Sequence, residues 1–332
     1  MQKPDFSADT SGPYIRPRLI PKKPEPPNQD TGMGQSAGGD GGAMAEHQPA
    51  ATAERSKLWF DEAVVVPDAF RDLLVNYSHI PPGDVDEHVI QIRNKAWEVH
   101  HYPCLGQFRF LELNLSSRPG GDLYARLLST LKSAQEGSPA FLDVGACLGQ
   151  DARKLVHDGA PPGSVASAEL SPTFIRLGYE LFRDAPGDVA MVQADILEPL
   201  AEGGPLGQFR GRLRVVQLGM ILHLFTWEEQ ITAFENAVAL LRDEPGVLII
   251  GQATGNLDGV VTQTLSVGGA NKGTCKHNVE SFKRLVGDVE ARTGTSWDVK
   301  AELDEALSVH DGKRTWDDPK TRRLLFELQR VR

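Results

Sequence analysis

The chain has 332 residues, with 35 Lys and Arg against 45 Asp and Glu; a formal net charge of −10 leaves no broad basic footprint for nucleic acid. Hydrophobic residues make up 40%, enough to build a real core, yet no apolar run approaches the roughly 18–20 residues that a membrane-spanning helix needs. The first residues lack the apolar stretch of a signal peptide, and the three separated cysteines, Cys104, Cys147 and Cys275, read as reduced thiols of a cytoplasmic protein.

Residues 1–54 are rich in proline, glycine and small polar side chains; they bury too little to repay their ordering entropy and are expected to form a disordered tail. Residues 55–120 precede the sheet and do not form a βαβ unit. Their stretch HVIQIRNKAWEVHHYPCLGQFRFLELNL (88–115) reads as helical at first and extended afterwards, with Pro103 at the change. This segment is expected to be a lid over an acceptor molecule. The core, 121–332, opens with the helix GDLYARLLSTLKSAQ (121–135). FLDVGACLGQ (141–150) then gives a buried parallel strand, an acid, a turn with Gly145 and Gly149, and a helix that begins at Gln150.

SVASAEL (164–170) is a second strand, ending in Glu169, and Ser171-Pro172 starts the helix FIRLGYELF with a serine cap and proline in the first turn. DVAMVQADI (188–196) is a third strand, ending in Asp195, and RLRVVQLG (212–219) is a fourth. Thr226 and Glu229 form a capping box that opens the helix EEQITAFENAVALL. VLIIGQ (247–252) is the fifth strand. HNVESFKRLVGDVEARTG (277–294) is an amphipathic helix with Asn278 as cap and Gly294 as stop. SWDVKAEL (296–303) and RRLLFELQRVR (322–332) close the sheet as an antiparallel pair. The fold expected is α/β: a Rossmann-like, mostly parallel seven-stranded sheet with a C-terminal antiparallel hairpin and an N-terminal helical lid.

The dinucleotide fingerprint GxGxxG fails at Cys147 and Gln150. The pattern present, D-x-G-x-x-x-G, resembles motif I of class I S-adenosylmethionine methyltransferases, in which the acid, here Asp143, faces the methionine end of the cofactor. Glu169 is placed to accept ribose hydroxyls, Asp195 to accept the adenine amino group, and Ile196 to pack on the ring. Any one of these acids alone is more often a solvated loop residue; three at successive strand ends in this order are hard to assign to chance.

HVIQIRNKAWEVHHYPCLGQFRFLEL, FLDVGACLGQDARKLVHDGAP, FIRLGYELFRD, ILHLFTWEEQ and KHNVESFKRLVGDVEARTGTSWDV together resemble the S-adenosylmethionine-dependent methyltransferases of fungal meroterpenoid clusters, those of austinol, terretonin and andrastin biosynthesis. The resemblance covers about residues 88–300 in order. It implies O-methylation of a carboxyl group on a farnesylated aromatic polyketide acid, and no metal. It implies cofactor contacts at Asp143, Gly145, Gly149, Gln150, Glu169, Leu170, Asp195 and Ile196. Two positions depart from the family's pattern: Ala146 stands where a second cysteine is expected, and Glu169 where aspartate is commoner.

Methyl transfer from a sulfonium is an in-line displacement, so the protein's main task is alignment. A carboxylate acceptor needs no base at neutral pH, whereas a phenol, of pKa about 10, does. His223, after the fourth strand, is the candidate base or acceptor-orienting group; the plainer reading is a buried, satisfied histidine. In the lid, His100 and His101 are weaker candidates, and Arg109 can grip a carboxylate with its planar fork or simply lie on the surface. Trp227 either lines the acceptor pocket or packs in the core. The competing functions are C-methylation or phenolic O-methylation on the same fold, and cofactor binding without turnover. The expected partner is a small-molecule acceptor, and a homodimer exchanging N-terminal elements stays open.

Overall fold

Neighbouring residues on the central strands belong to different cores, and this alternation sets the layers. The computed structural model describes residues 58–332 apart from 121, 134–138, 266–270 and 313; the expected tail, 1–54, lies outside the described residues. The chain forms α1 (Asp68–Asp72), α2 (Val85–Val99), α3 (Pro103–Gly106), α4 (Asp122–Lys132), β1 (Phe141–Val144), α5 (Gln150–His157), β2 (Val165–Glu169), α6 (Pro172–Phe182), β3 (Ala190–Gln193), β4 (Val215–Gly219), α7 (Trp227–Leu240), β5 (Leu248–Asn256), β6 (Val260–Leu265), β7 (Asn271–Lys276), α8 (Val279–Thr293), β8 (Trp297–Asp304) and β9 (Thr321–Arg330). Seven strands form one sheet in the order β3-β2-β1-β4-β5-β9-β8. β1 to β5 are parallel, and β9 runs antiparallel between β5 and β8. Crossing from β3 to β4 reverses the direction of winding at β1, which places the ligand crevice outside the carboxyl ends of β1 and β4.

Leu142, Val144, Val216, Leu218 and Ile249 pack with Phe234 of α7 and Phe282, Leu285 and Val289 of α8. Phe141, Val215, Leu248 and Ile250 pack with Leu123, Leu127 and Leu131 of α4 and Leu155 of α5. The expected caps form: Ser171 accepts from Phe174 N–H, Thr226 and Glu229 bond reciprocally, Asn278 accepts from Ser281 N–H, and Gly294 ends α8 in a left-handed conformation.

Residues 58–113 build a third core, in which Phe70, Leu73, Leu74, Val89, Ile92 and Leu105 pack against Phe174, Leu177, Leu181 and Phe182 of α6 and Leu148 of the β1–α5 turn. This N-terminal segment is therefore packed against the helix that follows β2. Its second half is not extended as expected. Pro103, with its fixed φ, starts the short helix α3, and a 3-10 turn follows at Arg109–Glu112. A second feature absent from the sequence reading is the β6–β7 antiparallel pair, inserted between β5 and α8.

Gly178 of α6 lies so close to the β1–α5 turn that a Cβ there would sit 2.6 Å from the Leu148 carbonyl oxygen. Gly178→Ala is expected to destabilise the protein by about 1–3 kcal/mol, the usual cost of overpacking, read by chemical denaturation. An unchanged midpoint would show that α6 is free to move off the turn.

Candidate active site

The turn after β1 is strained. Gly145, Cys147 and Gly149 have φ of 72°, 54° and 71°, a conformation that costs a non-glycine residue. The two glycines are needed for packing by the protein itself: a Cβ at 145 would meet Ile221 at 2.3 Å, and one at 149 would meet the Arg153 guanidinium at 2.2 Å. Glu169, at the end of β2, holds the turn in place. Its Oε2 accepts Cys147 N–H at 2.8 Å and its Oε1 accepts Ser171 N–H at 2.9 Å. Burial raises its pKa, against the lowering effect of these N–H donors.

Asp143 is 2% exposed. It accepts the Gln217 amide at 3.1 Å, and the same amide lies 3.4 Å from Asp151 of α5. Burial first, and the Asp151 charge second, push the Asp143 pKa well up; burial lifts Asp151 to about 6. Gln217 went unnoticed in the sequence, where it is one polar residue in an apolar strand. Gln150 Oε1 is buried without a hydrogen-bond partner, and Gly149 leaves the start of α5 without a side-chain cap.

Asp195 and Leu170 share one cleft of about 260 Å³ with Gln193, Ala201, Pro205 and Leu206. Asp195 accepts Leu197 N–H at 2.9 Å. Leu170 is 61% exposed, whereas Ile196 is 4% exposed and belongs to the sheet core. The open apolar surface beside Asp195 is thus Leu170, not Ile196.

Cys104, Cys147 and His223 keep solvent-reachable surface, yet protein surrounds them densely. Burial pushes the Cys104 thiol up to about 11, raises that of Cys147, and holds the His223 imidazole down to about 3. Their electrostatic neighbours come from elements distant in the sequence. Cys147 feels Cys104, Glu169 and Asp143; Tyr102, pushed up to about 12 by burial, feels Glu169, Cys104 and Cys147; Cys104 feels Arg109 and Arg314; His223 feels Lys276, Arg314 and Asp317. These interactions link the β1–α5 turn to the segment before β1 and to the residues around β7 and after β8. Tyr102, Lys276, Arg314 and Asp317 were not picked out in the sequence, where nothing in their spacing marks them.

His223 lies in a 3-10 turn, Leu222–Leu224, directly after β4. Its Nδ1 accepts Thr254 N–H at 3.3 Å. That bond puts the ring proton on Nε2, so the imidazole is a neutral donor. Arg109 is not a surface arginine: it is 8% exposed, donates to Ala306 C=O at 2.8 Å, and lies 3.5 Å from Glu112. His100 sits with its ring 3.8 Å from that of Tyr102, while His101 is exposed and stacks on Trp97. Trp227 is brought elsewhere: its indole N–H donates to Asp288 of α8, joining two helices.

Residues 59–111 match the meroterpenoid methyltransferase N-terminal domain. The O-methyltransferase phiE of a fungal species is 34% identical over 79% of this chain and 88% of its own length. The O-methyltransferase atr3 of Stereocaulon alpinum is 38% identical over 79% of this chain and 72% of that protein. The chain belongs to the fungal meroterpenoid methyltransferase family. The methyltransferase trt5 of Aspergillus terreus is a further relative, 33% identical over 76% of this chain and 88% of that protein. Among solved structures, the Haemonchus contortus phosphoethanolamine N-methyltransferase 2 in complex with S-adenosyl-L-methionine is 14% identical, with a TM-score of 0.42 and coverage of 82% of this chain and 62% of that one. The strand order rather than this distant likeness identifies the sheet as that of class I methyltransferases. No helix among the described residues is long and apolar enough to cross a membrane.

The Asp143–Asp151 pair has a stability signature. Asp151 titrates near 6 in the folded chain, above the usual carboxyl range, so its favourable protonated form is lost as pH rises through about 6. Asp151→Asn is expected to raise the melting temperature more at about pH 8 than at about pH 5. Equal shifts at both pH values would contradict a burial-raised Asp151.

Proposed function

We propose that the protein transfers the methyl group of S-adenosylmethionine to a carboxyl oxygen of a small lipophilic acid, forming a methyl ester in fungal secondary metabolism. Support for the cofactor comes from residues that fit its parts. The uncapped start of α5 and the unpartnered Gln150 Oε1 suit the methionine end. Glu169 retains lone pairs for ribose hydroxyls, and the Leu170–Asp195 cleft suits adenine. Bound there, S-adenosylmethionine supplies an electrophilic methyl group on a sulfonium. The chain's residues then align the acceptor, keep it ionised and exclude water.

The state of His223 carries the choice of acceptor. With Nδ1 taken by Thr254 N–H and a pKa near 3, it offers an N–H donor and no base. A phenol, of pKa about 10, would have to lose a proton during the reaction; Tyr102 and Cys104, both raised by burial, give it no acceptor either. A carboxylate arrives already ionised, and the basic groups Arg109, Arg314 and Lys276 act electrostatically on Cys104 and His223.

The product of a lipophilic aromatic acid is expected to be cleaved by mild alkali, as an ester is and a phenolic ether is not. The rate should be flat between about pH 6 and 9, because a carboxylic acid of pKa about 4 is ionised throughout. His223→Gln keeps a donor and should lose about tenfold or less, whereas His223→Phe should lose about a hundredfold. An alkali-stable product, or a rate climbing steadily towards pH 10, would contradict the ester.

A further inference from the structure

Gly219 closes β4 at a position where the fold itself does not ask for glycine. Its φ is not left-handed, and a Cβ built on it would make only ordinary contacts, with the Gln217 amide nitrogen at 3.5 Å and Asp143 Oδ1 at 3.8 Å. Gly251 on the neighbouring strand is the opposite case: a Cβ there would stand 2.2 Å from the Leu218 carbonyl oxygen. Gly219 keeps solvent-reachable surface, whereas Asp143 and Gln217 are buried. Room for a ligand atom therefore opens beside the carboxylate, between the tips of β1 and β4, where the winding of the sheet reverses. The charges around it are one-sided. Asp143 shares the Gln217 amide with Asp151, and the charges that act on it are those of Asp151 and Glu169. Gln252 of β5 stands in register with Gly219, on the same face of the sheet. It is 8% exposed, and its Oε1 has no hydrogen-bond partner. A lone buried acceptor near a carboxylate surrounded by other acids calls for a donor that carries positive charge.

We propose that Gly219 is a cofactor-clearance residue: its missing side chain leaves the place beside Asp143 open to the ammonium of the cofactor's methionine moiety, which donates to Asp143 and to Gln252 Oε1. The assignment rests on S-adenosylmethionine as cofactor and not on the choice of methyl acceptor. An ammonium has three N–H donors, so the carboxylate and the amide oxygen can both be served by one group. The added cation favours the ionised form of Asp143, which burial and Asp151 otherwise oppose. An alanine at 219 meets no protein atom closely, but its methyl group would occupy the ligand's place. The same substitution therefore acts in opposite directions on the fold and on the ligand: it removes backbone freedom from the unfolded chain and crowds the bound amino-acid end.

The test titrates two probes into the full chain by calorimetry: S-adenosylhomocysteine, which carries the amino-acid end, and methylthioadenosine, which keeps the adenosine and sulfur and lacks that end. The wild type should bind S-adenosylhomocysteine at least about tenfold more tightly than methylthioadenosine. Gly219→Ala should weaken S-adenosylhomocysteine by about tenfold or more and leave methylthioadenosine within about twofold of wild type. Without ligand, its melting temperature should be unchanged or raised by up to about 2 °C. Gln252→Leu, which removes the lone acceptor at similar volume, should show the same selective loss of about tenfold without a lowered melting temperature. The assignment is overturned if either variant binds S-adenosylhomocysteine as the wild type does, if either loses both ligands equally, or if ligand-free Gly219→Ala melts lower than wild type. It is overturned as well if the wild type binds the two probes equally. A wild type that binds neither probe at millimolar concentration would overturn the cofactor reading and this assignment with it.

Discussion

A single carboxylate joins the two sides of the crevice. Glu169 closes β2, and its oxygens take the backbone N–H of Cys147 on one side and of Ser171 on the other. Three of the five residues 145–149 have left-handed φ, one of them a cysteine. Such a turn persists only where its surroundings over-determine it. The surroundings here are Glu169, the Ala168 carbonyl that accepts Gly145 and Ala146 N–H, and the close approach of Gly178. The conformation of the turn in turn decides where α5 starts and where Gln150 and Asp151 stand. If Glu169 let go, the strand-tip acids would remain in the chain without a common ligand surface.

The rest of the site is assembled by long-range contacts onto that corner. The segment before β1 is a packed layer with its own core, not a loose flap. Arg93 is buried within it, donates to the carbonyls of Asp61 and Gly106, and lies between the rings of Phe60 and Phe108. Arg109 ties this layer to Ala306 after β8, and Trp59 packs on Trp316 before β9. The N-terminal segment and the C-terminal connection are therefore fastened to each other.

The parts legible in the sequence obey local rules. Alternation and short apolar runs marked the strands, and the caps at Ser171, Thr226, Asn278 and Gly294 marked the helices to within a residue or two. The acids at or just beyond the carboxyl ends of β1, β2 and β3 were legible because the parallel topology forces strand ends to one side. What escaped depends on partners distant in sequence. Gln217 acquires its role from Asp143 and Asp151, more than 60 positions away. Lys276 carries no mark in the sequence, and its place near the His223 turn depends on the bond from Cys275 N–H to the Phe225 carbonyl. The residues after Pro103 read as extended in the sequence, but the fixed φ of proline begins a helical turn instead. Ile196 was read as open to the ring, whereas the core takes it.

The dependence on Glu169 is tested most directly by titrating S-adenosylmethionine into the wild type and into Glu169→Gln by calorimetry. Gln can still accept one N–H, but its amide nitrogen can accept neither the second N–H nor a ribose hydroxyl. The account predicts saturable binding to the wild type and a loss of about tenfold or more in the variant. Equal affinity for the two proteins, or no binding to the wild type at millimolar concentration, would contradict it.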